Sequence, residues 1–176
     1  MSMKLVLFWL SLLILKISCK FEYTNVKCTS LDEKFVGFEY CYIKSVNRSY
    51  KYLFIKANLF KTPITKIKVC IVQLFKKFNG YRPFMYNITV DFCRLLSGAQ
   101  INPFAVYAYN LIKTHSNINH TCPFDHDFLV EKLDANFVNH HVTKVLPVPE
   151  GDYLIESRWN INDINRAIVK AYGTIT

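Results

Sequence analysis

From Phe84 to Asp91 the chain alternates residue by residue, with Phe84, Tyr86, Ile88 and Val90 on one side and Met85, Asn87, Thr89 and Asp91 on the other. A period of two belongs to an extended strand with one buried face. The same period recurs along the chain. Val36, Phe38, Tyr40 and Tyr42 share a face within Phe35–Tyr42, and Ile67, Val69, Ile71 and Phe75 do so within Ile64–Phe75, where Lys66 and Lys68 point the other way. Tyr153, Ile155 and Trp159 repeat it, as do Ala167, Val169 and Ala171, and Tyr50–Leu59 is rich in aromatic and branched residues. Turn formers separate these runs at Ser45–Ser49, Asn79-Gly80 and Pro147–Gly151. Strands at such short spacing predict a mainly β fold, an antiparallel β-sandwich.

The period changes once. Asp91 is placed to cap a short helix through Ser97 that stops at Gly98, and Asn102-Pro103 combines a cap with proline at the first helical position. Phe104, Tyr107, Ala108, Leu111 and Ile112 then recur at helical spacing. A helical insertion at about 92–113, lying on the sheets, is expected. Residues 127–134 are open between strand and helix.

The N-terminus reads Met1-Ser2-Met3-Lys4 followed by an apolar run from Leu5 to Leu15, closed by Lys16. A membrane-spanning helix needs about 20 apolar residues, so the run has the shape of a signal peptide. Cleavage after Cys19 places Ile17 and Cys19 at the specificity positions, which makes 1–19 a signal peptide and 20–176 a single domain of extracellular destination. The formal charge of +9 would suit nucleic acid in an intracellular protein, but export removes that partner. The lysines are scattered on strands, as solvated faces are, and a transient membrane-surface or receptor contact is the functional alternative.

The cysteines beyond Cys19 are Cys28, Cys41, Cys70, Cys93 and Cys122. Their number is odd. Spacing suggests Cys28 with Cys41 across the first hairpin and Cys93 with Cys122 tying the helical segment to a later loop. Cys70, among Val69, Ile71 and Val72, is then a buried free thiol. Sequons at Asn47, Asn87 and Asn119 mark exposed glycosylation positions in an exported chain.

No nucleophile elbow, zinc-protease helix, phosphate loop or dinucleotide fingerprint occurs. His120 and His126 flank Cys122, but a disulfide-bonded cysteine offers no thiolate to a metal. His140 and His141 would face opposite ways on a strand. Asp125 and Asp127 share one face of an extended segment without a third group to support them. The expectation is a protein with no catalytic residues, no metal and no cofactor.

Several elements carry a resemblance: Phe21–Cys28, Asn47-Arg48-Ser49-Tyr50, Gly80-Tyr81-Arg82-Pro83-Phe84, Asp91-Phe92-Cys93, Ser116–Pro123 with its Asn-His-Thr-Cys-Pro core, and Pro149-Glu150-Gly151-Asp152-Tyr153. In this order they resemble the family of small secreted insect proteins of unknown function that includes the CheB chemosensory group. That family in turn resembles the ML lipid-recognition and ganglioside-activator proteins, which hold a lipid between two sheets. The resemblance implies a non-enzymatic binding protein for a lipid or small hydrophobic ligand, with a role in pheromone or other chemosensory perception. Its cysteine pattern fits Cys28, Cys41, Cys93 and Cys122, with Cys70 an addition.

Aromatic content supports walls held apart around a cavity: 14 Phe, 11 Tyr and 2 Trp in 176 residues. The expected lining is Phe38, Tyr40, Phe54, Phe84, Tyr86, Tyr107 and Trp159, with Lys66 and Lys68 at the rim for a headgroup. Two rival readings stand beside it, a protein-contact module without a cavity and an activator of a lipid hydrolase.

Overall fold

The computed structural model describes residues 19–47, 50–99, 102–145 and 148–176, with backbone alone for 69–72, 85 and 86. The expected signal peptide and the Cys70 thiol therefore lie outside the described structure. Two antiparallel sheets face each other. The larger runs in the order β1 (Phe21–Ser30), β8 (Ile164–Ile175), β7 (Gly151–Ile161), β4 (Ile67–Phe78), β5 (Gly80–Asp91). The smaller runs β2 (Val36–Ser45), β3 (Lys51–Leu59), β6 (Phe128–Asp134). The mainly β sandwich expected from the alternation is the fold, and the residues left open at 127–134 are the edge strand β6.

Local chemistry explains the connections. Ile161 pairs with Ile164 across Asn162 and Asp163, both at positive φ. Asparagine and aspartate tolerate that conformation, which the tightest hairpins require. The helical insertion forms as two pieces, α1 (Phe92–Leu96) and α2 (Pro103–Lys113). Asp91 accepts the Arg94 N–H, and Asn102 accepts those of Phe104 and Ala105 at 3.0 and 3.1 Å, satisfying donors that a helix start leaves free.

A third helix was not legible in the sequence. α3 (Ala135–His140) begins directly after β6, capped by Asp134 on the Asn136 N–H, and runs into a wide turn over His141–Val145. His140 and His141 thus stand on a helical stretch, and His141 Nδ1 lies 2.9 Å from the Phe137 carbonyl. The strand orientation expected for this pair is corrected accordingly.

Both disulfides join distant parts of the fold. Cys93 in α1 is bonded to Cys122 in the loop before β6. Cys28 is bonded to Cys41, but not across a hairpin: Cys28 is on β1 of the larger sheet and Cys41 on β2 of the smaller. The bond therefore ties the sheets together along the side where β1 meets β2. Among the described cysteines only Cys19 is unbonded.

The fully buried Phe124, Ile64, Ile67 and Ile161 anchor one end of the interior. Phe92 and Phe128 stand 6.5 and 5.2 Å from the Phe124 ring, and Trp159 joins those two at 6.1 and 5.9 Å. A second buried cluster holds Tyr23, Leu53, Leu133, Ala135 and Val138.

Candidate functional site: a cavity between the sheets

Residues of both clusters line one cavity of about 370 Å³. The larger sheet contributes Tyr153, Ile155, Ser157, Trp159 and Ile161 from β7 and Ala167, Val169, Ala171 and Ile175 from β8. The smaller sheet contributes Val36 and Phe38, then Leu53, Ile55, Ala57 and Leu59. Helix α2 adds Phe104, Tyr107, Ala108, Leu111 and Ile112, and Val142 and Val148 complete the wall after α3. No charged side chain among the described residues lines it. Ile155, a lining residue, is 42 % exposed.

Polar groups in the wall are turned to internal partners. Trp159 Nε1 donates to Ser157 Oγ at 3.1 Å, Tyr153 donates to the Pro149 carbonyl at 2.5 Å, and Tyr109 donates to that of Ile118 at 3.1 Å. The buried hydroxyls of Tyr23 and Tyr107 have no hydrogen-bond partner among the described residues. Burial raises the pKa of both phenols, and nearby Asp134 pushes Tyr23 further, so both stay protonated. Among the described residues of this wall there is no carboxylate, histidine or free thiol, and the surface they present is almost wholly apolar.

The expected lining divides. Phe38, Tyr107 and Trp159 face the cavity, and the Tyr86 side chain lies outside the description. Tyr40, Phe54 and Phe84 are not among the lining residues. The cause for Tyr40 is an extra residue: Phe38 pairs with Ala57 and Tyr40 with Lys56, leaving Glu39 without a partner. Such a bulge reverses the faces of everything beyond it. Cys41 and Ile43 turn inward, while Tyr40 and Tyr42 turn out to form a ring row with Phe54, the Tyr42 and Phe54 centroids 5.2 Å apart. Phe54 alternates with the inward Leu53 and Ile55. Phe84 instead packs at 5.9 Å on Tyr153, and Lys76 Nζ sits 5.6 and 5.4 Å from those two ring centres. Lys66 and Lys68 are committed to Asp163 at 2.5 and 3.1 Å.

Sequence reasoning missed Leu53, Ile55, Ala57 and Leu59 as wall residues, although their own alternation is a detectable signal. It named Tyr153, Ile155, Trp159, Ala167, Val169 and Ala171 as strand faces, and these form the cavity floor.

Away from the cavity, His120 Nε2 and His126 Nε2 lie 2.7 Å apart, with Nδ1 atoms 2.8 and 2.9 Å from the carbonyls of Thr121 and Asp127. Cys122 between them is held by Cys93. Asp127 accepts the Leu59 N–H at 2.8 Å, a structural duty, and Asp125 is exposed. No group of three metal-ligating side chains occurs among the described residues. Asn47, Asn87 and Asn119 are all exposed.

A family described as "Protein of unknown function (DUF1091)" matches residues 71–155. The matched stretch runs from β4 into β7 and contains the Cys93–Cys122 bond, α2 and the loop that carries Phe124. Comparison with curated proteins finds no match. Among the described residues no helix is long and apolar enough to cross a membrane.

Proposed function

We propose that the protein is a secreted, non-enzymatic carrier of a lipid or small hydrophobic ligand held between its two sheets. The observation that carries this reading is the 370 Å³ cavity with no charged residue among the described residues of its wall. Left dry, a void of that size costs about 9 kcal/mol at ~24 cal/mol per Å³, the scale of a whole domain's stability. Water filling it finds few free partners, because the wall's polar groups are turned to one another or sealed in. An apolar occupant relieves that cost, contributing about 2.5 kcal/mol for each ~100 Å² of its surface withdrawn from water. The resemblance to the insect chemosensory family and, through it, to lipid-recognition sandwiches supports the same reading, as do two disulfides, which belong to an oxidising compartment.

Native mass spectrometry of protein secreted from insect cells, followed by organic extraction, tests the proposal. A stoichiometric lipid or long-chain hydrocarbon is expected. An apoprotein that also refuses fluorescent fatty acids and fluorescent hydrocarbons overturns it.

The ring row of Tyr40, Tyr42 and Phe54 supports a second reading, a protein-contact face on the outside of the smaller sheet. Loss of partner capture on Tyr42→Ala, with ligand uptake intact, would favour it.

A further inference from the structure

The chain is exposed without a break from Lys77 to Pro83, the turn of the β4–β5 hairpin. Phe78 pairs with Gly80 across the single residue Asn79, and Gly80 holds φ at +115°, a conformation suited to glycine alone. The reversal is therefore tight, and the rings beside it project from a stiff ribbon. Phe78 is 62 % exposed and Tyr81 38 %, the latter touching Tyr172 edge-on at 5.7 Å.

Cations surround these rings. Lys76, Lys77 and Arg82 lie within the same turn, and no acidic residue occurs between Gln73 and Asp91. Lys77 reaches Asp152 only at 3.6 Å, and neither Lys76 nor Arg82 has a carboxylate within ion-pair distance among the described residues. A single exposed ring is ordinary. An exposed phenylalanine at the point of the hairpin, a tyrosine behind it and three cations at the same level, only Lys77 of them paired with a carboxylate among the described residues, are the arrangement that a lipid–water interface stabilises: rings at headgroup depth, cations on anionic headgroups.

We propose that the β4–β5 tip docks on a lipid surface bearing anionic headgroups, with Phe78 entering the interface and Lys77 and Arg82 meeting the charge. The ribbon also fixes the direction in which the molecule sits. Leu74 on β4 is a cavity-lining residue, and Tyr153 of the wall lies beneath Lys76, so docking holds that end of the cavity toward the lipid. The proposal stands whether or not the cavity carries a ligand.

Co-sedimentation of the mature chain with phosphatidylcholine vesicles, with and without phosphatidylserine, tests it. Binding is expected only with phosphatidylserine. Lys77→Gln and Arg82→Gln should each weaken it about fivefold, an effect that fades at high salt. Phe78→Ser should weaken it at every salt concentration. All three positions are exposed, so near-ultraviolet dichroism and uptake of a fluorescent fatty acid report an unchanged fold. Equal binding to both vesicle types, or variants that bind as the parent does, would overturn the proposal. So would tip-dependent self-association without vesicle binding, which assigns the hairpin to a second copy of the chain.

Discussion

Trp159 donates its indole N–H to Ser157 Oγ at 3.1 Å, and Ser157 donates in turn to the Val169 carbonyl at 3.4 Å. These two polar side chains of the cavity floor thus form a short relay that ends on the β8 backbone. Ser157→Ala leaves the indole N–H without a partner and is expected to cost about 1–3 kcal/mol. Urea unfolding followed by tryptophan fluorescence measures the loss.

Filling the cavity from β8 should compete with its occupant. Ala171→Phe places a ring in the void, and uptake of a fluorescent fatty acid is expected to fall about tenfold or more, with thermal stability of the empty protein kept or raised. Unchanged uptake would remove the cavity from the binding account.

Phe38 and Tyr40 should part company under mutation. Phe38→Ala enlarges the cavity and is expected to alter ligand affinity and cost about 3 kcal/mol of stability. Tyr40→Ala is expected to leave uptake as it was. A fluorescence titration of both variants separates them.

Glu156 supplies an acid-sensitive element. It is 5 % exposed on β7, and burial by itself raises its pKa. Hydrogen bonds from Lys170 at 2.9 Å and Arg158 at 2.7 Å outweigh that and hold it below the ordinary value of 4.5. A carboxylate with a depressed folded pKa contributes stability that is complete above its unfolded pKa and lost as pH falls through the folded one. Urea midpoints should therefore drop on acidification below about pH 4.5. Glu156→Gln should be less stable near neutrality and show a shallower acid slope, the remainder coming from Glu22, Asp152 and other paired carboxylates.

Removing the inter-sheet bond should be felt globally. Cys28→Ser with Cys41→Ser opens a loop of sequence separation 13, for which chain entropy predicts a loss of about 3 kcal/mol. Calorimetry of the double variant measures it.

The sheets were legible because alternation is a local signal that burial of one face writes directly into the sequence. Both helix starts at Asp91 and Asn102 were legible for the same reason, since a cap is a side chain meeting its own backbone. Helix α3 was not: Asp134 closes β6 and opens the helix at one residue, leaving no turn signal between them. At the site, the β7 and β8 faces were readable because Tyr153–Trp159 and Ala167–Ala171 stay in phase over the cavity. Tyr40 was misassigned because alternation passes silently through a bulge. Phe54 was misassigned because Leu53-Phe54-Ile55 is apolar on both faces, and only the partners of β3 decide which side is wet.

Glu39 works on its strand as an inserted base works on a message. Upstream, Val36 and Phe38 are read toward the interior; one unpaired residue later the frame has moved, and Cys41 and Ile43 are read inward instead. Excising Glu39 would leave Phe38 opposite Ala57 and Tyr40 opposite Lys56, so plain alternation would keep Cys41 and Ile43 inward and the Cys28 bond in reach. Were Glu39 instead to take Lys56 as its partner, every later residue would slip by one, Tyr40 and Tyr42 would be read inward, and Cys41 would turn away from Cys28.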